Sequence, residues 1–256
     1  MTINNNLLTK QLRQLCLAGF AAQHESIAMD CEKSNRSHIE FLQQLVNIEM
    51  EHRHQKRIDR LLKQAKLPRE KTLNSFDFKR IPGLSMSQIQ RLATGEFMNR
   101  AENVLIFGNP GTGKTHLSIA LSQEWCLQGR KVFYTTVASL MQNLLRAKND
   151  LKLNEFIRKL DYFEILLIDD ISYIPCGREE ADALFTLLSA RYEMRSVLVT
   201  SNLAFNQWDA IFKDKMTTAA AIDRLVHHST ILELNAESYR INEAKQKKEK
   251  NIKKTD

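Results

Sequence analysis

The sequence predicts an α/β fold in which a parallel β-sheet is flanked by helices. Short apolar runs alternate with longer amphipathic stretches from about residue 100 onward, and this alternation is typical of strands joined by crossover helices. A glycine-rich segment follows the first apolar run and two aspartates follow the third. We therefore expect polar chemistry at the carboxyl edge of the sheet, where such folds bind ligands. The predicted strands are residues 104–107, 132–135, 165–168, 197–200 and 231–234.

A helical module is predicted before this sheet. Residues 7–20 and about 38–66 carry apolar side chains at helical spacing, and the pattern stops near Leu67-Pro68. An irregular connector is expected over residues 72–83, which end in Ile81-Pro82-Gly83. The predicted organisation is an all-helical N-terminal module over residues 1–70, a core over 71–240 and a Lys-rich tail over 241–256.

The composition is that of an ordinary folded protein. The 256 residues are 43% hydrophobic and include 8 Gly and 4 Pro, which excludes a collagen-like or wholly disordered chain. No apolar run approaches the roughly 18 residues of a membrane helix, and the first residues lack a secretory signal. The four cysteines are scattered without a Cys-x-x-Cys pair, so neither a disulfide framework nor a zinc knuckle is indicated. We expect a cytoplasmic protein with no membrane segment.

The net charge of +7 is concentrated at the two ends of the chain. Basic side chains outnumber acidic ones by 12 to 8 over residues 1–75 and by 6 to 3 over residues 241–256, whereas residues 76–240 carry 19 of each. A neutral body with two basic ends suits a protein that binds a polyanion such as DNA or RNA. Solubility alone would explain the same distribution.

The glycine-rich segment fits the P-loop pattern G-x-x-x-x-G-K-[ST], with a strand before it and a helix after it. In a P-loop the glycines let the backbone wrap around phosphate oxygens, and the helix N-terminus favours their negative charge. Lys114 can reach the β- and γ-phosphates, and the Thr115 hydroxyl can bind Mg²⁺. An ordinary glycine-rich turn is the alternative, which the flanking strand and helix disfavour. The predicted nucleotide-binding residues are Gly108, Asn109, Pro110, Gly111, Thr112, Gly113, Lys114 and Thr115.

Two carboxylates, Asp169 and Asp170, follow the third predicted strand. Asp169 would hold Mg²⁺ directly or through water, and Asp170 would polarise or orient the attacking water. An acidic turn after a buried strand is the alternative interpretation. We therefore predict a Mg²⁺ site formed by Thr115 and Asp169, with Asp170 acting in catalysis.

Two further polar residues are candidates for catalysis. Asn202 follows the fourth strand and could fix the attacking water or sense the γ-phosphate, although a cap or turn role is the alternative. Arg224 stands in a mostly apolar predicted helix and could act on the γ-phosphate of a neighbouring subunit, unless it forms an ion pair with Asp223. His227 and His228 are adjacent and should point to different helix faces, so we expect packing or surface roles rather than metal binding.

One face of the second predicted helix is basic. Its residues could contact phosphates of a nucleic acid, and an ordinary solvated helix surface explains the pattern equally well. We find no base-reading motif in the sequence. The candidate nucleic-acid residues are Arg53, Lys56, Arg57, Arg60 and Lys63.

The order of these motifs resembles the IstB family, the ATPase helpers encoded beside transposases in bacterial insertion sequences. The similarity extends over roughly residues 70–240, and the related helicase loader DnaC, of the same AAA+ initiator clade, is also similar. Ser172, Ala204 and Ala236 depart from the residues usual in the family, Gly, Pro and Gly. The motifs that carry the resemblance are GNPGTGKTHLSIAL, ILLIDDISYIP, LVTSNLAFNQW, AAAIDRLVHHS and AESYR.

The resemblance implies a five-stranded AAA+ core without a separate C-terminal helical lid. It also implies ATP as the nucleotide and a connector near the adenine, for which a simple linker is the alternative. Members are expected to form a homo-oligomer, to bind duplex DNA with little sequence preference and to stimulate a partner transposase. In such an assembly Arg224 would complete the site of the adjacent subunit, whereas Lys114, Thr115, Asp169, Asp170 and Asn202 would act within one subunit.

Four hypotheses follow for the function. The leading one is an ATP-dependent, DNA-binding helper of transposition that assembles on duplex DNA. A DnaC-like loader would instead engage a replicative helicase and single-stranded DNA. A small-molecule P-loop kinase would need neither Asn202 at a strand end nor a trans-acting Arg224. A nucleotide-gated scaffold would bind ATP without turnover, which Asp170 in place of the commoner Glu leaves open.

Overall fold

The computed structural model describes residues 5–172, 177–212, 214–236 and 238–239. The chain divides into two compact units, Met1–Arg60 and Leu61–Asp256. The second unit begins at Leu61 rather than near residue 70 because Leu61, Ala65 and Leu67 are buried in its core. The predicted Lys-rich tail lies outside the described residues.

The first unit is helical. It contains α1 (Asn5–Gln14), α2 (Ala18–Lys33) and most of α3 (His38–Ala65), and its core includes Ile27, Cys31 and Leu45. The single helical stretch predicted over residues 7–20 is wrong, since α1 ends before Cys16. Cys16 has a left-handed backbone (φ 59°), and the Leu17 N–H donates to the Leu12 carbonyl at 2.9 Å, which closes the helix end.

The contact between α2 and α3 is built around a buried carboxylate. The Gly19 N–H donates to Glu49 at 2.7 Å, and Arg53 Nε donates to the other carboxylate oxygen at 2.7 Å. Burial acts to raise the pKa of Glu49, but the hydrogen bonds from Arg53 and Gly19 outweigh it, so the pKa lies below its ordinary value of 4.5. A Cβ on Gly19 would lie 3.1 Å from the Glu49 Cα. Glycine and an ionised glutamate therefore let these helices approach closely.

We expect Glu49→Gln to lower the free energy of unfolding of the first unit by about 2 kcal/mol, because charged hydrogen bonds are lost. Since the folded-state pKa is depressed, the contribution of Glu49 is complete above the unfolded pKa and is lost as the pH falls through the folded value. The measurement is urea unfolding followed by far-UV circular dichroism at neutral and acidic pH. Tryptophan fluorescence reports the unfolding of the second unit separately, because Trp125 and Trp208 both lie in that unit.

Glu51→Gln is the matched control for this prediction, because Glu51 is exposed on the same helix. Equal unfolding curves for the Glu49 and Glu51 variants at neutral pH would contradict a stabilising role for the buried carboxylate.

The second unit contains the predicted parallel sheet. Its strand order is β2-β3-β4-β1-β5, and each neighbouring pair is parallel. The five predicted strands and the α/β fold class are therefore confirmed. The strands are β1 (Asn103–Gly108), β2 (Val132–Thr136), β3 (Ile165–Asp169), β4 (Ser196–Ser201) and β5 (Ser229–Leu234).

Helices cover both faces of the sheet. Val104 and Ile106 of β1 pack in one core, whereas Leu105 packs in the other, as the alternation of side chains along a strand requires. Burial on both faces explains why the strands are continuous apolar runs.

Among the described residues, no helix is long and apolar enough to cross a membrane. The helices are α4 (Met86–Ala93), α5 (Lys114–Leu127), α6 (Val137–Asn149), α7 (Leu153–Leu160), α8 (Arg178–Arg191), α9 (Asp209–Phe212) and α10 (Lys215–Val226), and short 3-10 turns occupy Phe78–Arg80, Glu96–Arg100 and Phe205–Gln207.

A fully buried arginine supports the amino edge of the sheet. Arg191 donates to the carbonyl oxygens of Leu160 at 3.0 Å, Phe163 at 3.1 Å and Ser196 at 2.9 Å. Burial lowers its pKa to about 10. Arg191 thereby joins the end of α7 to the start of β4.

Candidate active site

The loop between β1 and α5 is shaped by glycine. Gly111 and Gly113 have φ values of 83° and 99°, a left-handed backbone that side chains disfavour. A Cβ on Gly113 would also lie 3.0 Å from the Phe76 ring. The loop therefore turns tightly enough to present backbone N–H groups and the α5 N-terminus to an anion.

Lys114 is the first residue of α5 and is 8% exposed. Its Nζ donates to the carbonyl oxygens of Gly108 at 2.7 Å and Asn109 at 3.0 Å. The ammonium is thus held against the loop. Phosphate oxygens entering this loop would find a cation already positioned to receive them.

Thr115 and Asp169 meet at the carboxyl edge of the sheet. The Asp169 carboxylate accepts from the Thr115 hydroxyl at 2.9 Å and from the Thr200 hydroxyl at 2.7 Å. Burial raises the pKa of Tyr134, and the neighbouring Asp169 carboxylate raises it further. Hydroxyl and carboxylate oxygens from α5 and β3 converge here, and these are the hard ligands that Mg²⁺ prefers. The residues present therefore fit the predicted Mg²⁺ ion.

Asp170 has an unusual backbone for an aspartate, with φ 58°. Its N–H donates to the Thr200 hydroxyl at 2.7 Å, and the Ile171 N–H donates to the Thr200 carbonyl at 2.9 Å. Thr200 therefore positions both aspartates. The Asp170 Oδ1 is buried and has no hydrogen-bond partner among the described residues. A buried acceptor of this kind is costly unless a ligand or water donates to it.

Asn202 lies at the same edge of the sheet, just beyond β4. Its N–H donates to the Ser172 hydroxyl at 2.8 Å, and Ser172 shares a 3.1 Å hydrogen bond with Ser201. Its side-chain Oδ1 is buried without a partner within the described part of the chain. Two side-chain oxygens without a partner among the described residues, from Asp170 and Asn202, therefore lie at the carboxyl edge of the sheet.

Sequence reasoning did not single out Thr200, Ser172 or Tyr134 as site residues. Thr200 carried a weak signal, since it interrupts an apolar strand two positions before Asn202. Ser172 was noted only as a departure from the family pattern. Tyr134 sits in β2, and nothing local connects it with Asp169.

The connector contributes one wall of a cavity beside the P-loop. His116 Nε2 lies 3.1 Å from the Ser75 hydroxyl and 3.2 Å from the Thr72 carbonyl. The rings of His116 and Phe76 are edge-to-face at 5.3 Å, and both side chains border the cavity. Its lining includes Phe76, Asp77, Arg80, Gly111, Thr115, His116 and Tyr239.

The segment after β5 forms the opposite wall. The Tyr239 N–H donates to the Gly111 carbonyl at 2.9 Å, and the Arg80 guanidinium lies 4.8 Å from the centre of the Tyr239 ring. The connector and this segment thus meet over the P-loop, where a base and ribose could be enclosed.

Arg224 lies near the amino ends of the strands, on the opposite side of the sheet from the P-loop. The Asn103 side chain donates to the Leu225 carbonyl at 3.1 Å, so the last turn of α10 lies beside the first residue of β1. The P-loop begins at the other end of β1, roughly 17 Å away at the usual rise per residue. Arg224 donates to the Ala220 carbonyl at 3.1 Å and lies over the Phe185 ring at 4.9 Å. None of the ion pairs among the described residues includes Arg224, which argues against the pairing with Asp223.

The five basic candidates along α3 are all exposed. Arg53 differs from the others because it bonds to Glu49 and also donates to the Cys16 carbonyl at 3.2 Å. It therefore has a structural task in the first unit. The phosphate contacts proposed for Arg53, Lys56, Arg57, Arg60 and Lys63 all stay predictions.

In the sheet, β4 lies between β1, which precedes the P-loop, and β3, at whose end the two aspartates lie. The core is therefore a P-loop fold with the strand order expected of an AAA+ protein. The fold is similar to that of AMPPCP-bound DnaA from Aquifex aeolicus, with a TM-score of 0.51, 22% identity, and coverage of 66% of this chain and 50% of that one. At this identity the likeness concerns the fold alone.

The chain belongs to the family of IstB-like ATP binding proteins, whose family model matches residues 10–248. It is 38% identical to the insertion sequence ATP-binding protein y4iQ/y4nD/y4sD of Sinorhizobium fredii, over 93% of this chain and 80% of that protein. It is 40% identical to the insertion sequence IS21 ATP-binding protein of Pseudomonas aeruginosa, over 86% of this chain and 83% of that protein. The resemblance noted in the sequence is thereby confirmed.

Proposed function

We propose that this protein hydrolyses ATP and serves as a helper in the transposition of an insertion sequence. It assembles on duplex DNA in the presence of ATP and stimulates a partner transposase. The observation that carries the proposal is the hydrogen-bonded group of Thr115, Asp169 and Thr200 beside the P-loop, in a chain whose relatives are named insertion sequence ATP-binding proteins. We expect this activity in the cytoplasm, where the proposed DNA and transposase partners would be found.

In this proposal the P-loop backbone and Lys114 bind and orient the phosphates. Thr115 and Asp169 would hold Mg²⁺, which would neutralise negative charge on the phosphates. Asp170 receives the attacking water through its unpaired carboxylate oxygen, and the Asn202 amide orients that water or the γ-phosphate. The cavity between the connector and Tyr239 encloses the adenosine and limits access of bulk water.

Arg224 requires a second subunit in this proposal. An arginine side chain is far shorter than the roughly 17 Å length of β1, so it cannot reach the P-loop of its own chain. A head-to-tail homo-oligomer brings Arg224 of one copy to the γ-phosphate bound by the next. ATP binding and assembly are then coupled.

Ser172 positions Asn202, and we expect Ser172→Ala to lower ATP turnover severalfold, a cost on the order of 1 kcal/mol for the lost hydrogen bond from the Asn202 N–H. The KM for ATP should stay near the wild-type value, because Ser172 bonds to the backbone of Asn202 rather than to a P-loop group. Steady-state kinetics separates kcat from KM. Ser172→Thr keeps the hydroxyl and is the control. Equal turnover in the Ala and Thr variants would contradict the positioning role of Ser172.

DNA binding is proposed to depend on phosphate contacts, and we expect the triple variant Lys56→Ala/Arg57→Ala/Arg60→Ala to weaken duplex binding and its salt dependence. Each lost phosphate contact should reduce the slope of log K against log salt by about one. Fluorescence anisotropy at several salt concentrations measures both quantities. The matched control is Arg146→Ala/Arg158→Ala/Lys159→Ala, which removes the same charge from exposed residues of the second unit. Equal losses in both variants would indicate an effect of net charge only.

The test of the proposed function is ATP hydrolysis by the protein alone, with long duplex DNA and with single-stranded DNA. Lys114→Ala serves as the blank. Stimulation by duplex DNA supports assembly on target DNA. Stimulation by single strands alone favours the helicase-loader hypothesis, and ATP binding without turnover under all conditions, including added transposase, favours a scaffold. Phosphate transfer from ATP to a small molecule would favour a kinase.

A further inference from the structure

Three potential metal ligands come together at the amino edge of the sheet, away from the P-loop. One ring nitrogen from each of His227 and His228 and one carboxylate oxygen of Glu193 lie within 4.8 Å of one another. All three residues are exposed. We call this set the amino-edge cluster.

The ends of two helices produce this convergence. His227 caps α10 with a helical backbone (φ −47°, ψ −44°), His228 follows in the turn before β5, and their ring centres lie 4.0 Å apart. On a continuing helix they would point about 100° apart, and the expectation that they face different directions is therefore wrong. Glu193 follows α8 with a left-handed backbone, φ 58°, which turns the chain after Tyr192.

The surroundings hold the histidines in place. The Tyr192 hydroxyl and His227 Nδ1 share a 2.7 Å hydrogen bond, a contact that orients an imidazole as the outer shell of metal sites does. The Asn103 N–H donates to the His228 carbonyl at 2.7 Å, which anchors this turn to β1. Glu102 lies close enough to His228 for their charges to interact, but its carboxylate is bonded to Arg100 at 2.5 Å and 3.1 Å. Glu102 thus adds negative potential rather than a fourth ligand.

We propose that the amino-edge cluster binds a transition-metal dication of the Zn²⁺ type. Two imidazoles and one carboxylate are the ligands of three-residue zinc sites, with water completing the coordination. In this proposal the exposed side chains of Glu193, His227 and His228 rotate to bring their ligand atoms, which lie within 4.8 Å of one another, onto one ion. This site is distinct from the Mg²⁺ site, since it adjoins the first residue of β1 whereas the P-loop adjoins the last.

The ion would link the end of α8 to the turn between α10 and β5. The same two helices contact each other where Arg224 lies over Phe185. Metal binding would therefore brace the helix that carries Arg224. The proposal concerns this chain in its nucleotide-free form and does not depend on ATP hydrolysis.

The test is calorimetric titration of Zn²⁺ into the full-length, nucleotide-free protein, followed by thermal unfolding with and without the ion. We expect one Zn²⁺ per chain and a higher midpoint of unfolding, because an ion that binds the folded state alone stabilises it. His227→Ala/His228→Ala should weaken binding at least tenfold and abolish the shift in the midpoint. The matched control, His52→Ala/His54→Ala, removes two imidazoles from α3 and should bind Zn²⁺ as the wild type does.

Two further measurements keep the proposal testable if the double variant unfolds. Glu193→Gln changes an exposed side chain without altering its size, and it should also weaken Zn²⁺ binding at least tenfold. Co²⁺ should give the intense visible absorption of a four-coordinate nitrogen and oxygen site in the wild type. Zn²⁺ binding that is unchanged in both variants, or a Co²⁺ spectrum like that of the hydrated ion, would overturn the proposal.

Discussion

We expect Asp170→Asn to bind ATP as the wild type does and to lose about 100-fold or more in turnover, the usual range for loss of a general base. Asparagine keeps the size of the side chain and tolerates the left-handed backbone at this position. The N–H of residue 170 would still donate to Thr200, so the site keeps its shape. What is lost is the carboxylate whose Oδ1 has no partner within the described residues.

Two measurements are needed for Asp170→Asn. Binding of a fluorescent ATP analogue should be unchanged, whereas phosphate release should fall to the level of Lys114→Ala. Asp182→Asn is the control, since Asp182 is exposed on α8. Full hydrolysis by the Asp170 variant would show that another group acts as the base. Loss of nucleotide binding would indicate that Asp170 has a structural role instead.

Arg224→Ala should lower ATP turnover by about 1000-fold without abolishing nucleotide binding, the effect typical of an arginine supplied in trans. The reason is its position at the amino edge, next to Leu225 and Asn103, from which it would act on the γ-phosphate of a neighbouring subunit in the proposed assembly. Turnover is measured at saturating ATP with duplex DNA present.

Mixing variants tests the trans arrangement directly. Lys114→Ala lacks a working P-loop but offers Arg224, and Arg224→Ala offers the P-loop. An equal mixture should regain about one quarter of wild-type turnover, because random pairing in a head-to-tail assembly places the two intact halves together at that frequency. Since Arg224 also lies over Phe185, its loss could loosen α8 against α10. A misfolded subunit would not restore activity on mixing, so recovery would support the trans role. Failure to recover, in an Arg224→Ala variant whose nucleotide binding and circular dichroism match the wild type, would refute it.

The sequence by itself determined the strands and the P-loop. Both depend on local pattern: the strands are apolar runs because the sheet is buried on both faces, and the P-loop needs its glycines and Lys114 within a few residues. Asp169 and Asp170 were also predictable, since they end an apolar strand at the edge where α/β folds bind ligands. Family membership followed from the order of these motifs.

Only the tertiary structure decided which side chains complete the site. Thr200 reaches Asp169 because β4 lies between β1 and β3 in the sheet, and strand order leaves no trace in local periodicity. The bond between Arg53 and Glu49, whose other carboxylate oxygen accepts from the Gly19 N–H, joins α3 to α2, and the basic pattern of α3 does not indicate this contact.

The ends of the helices were decided in the same way. Glu193 and His228 are far apart in sequence and meet because α8 and α10 stop beside each other at one edge of the sheet. Local sequence specifies elements through hydrogen bonding and burial, whereas contacts between elements depend on how the sheet and its helices pack.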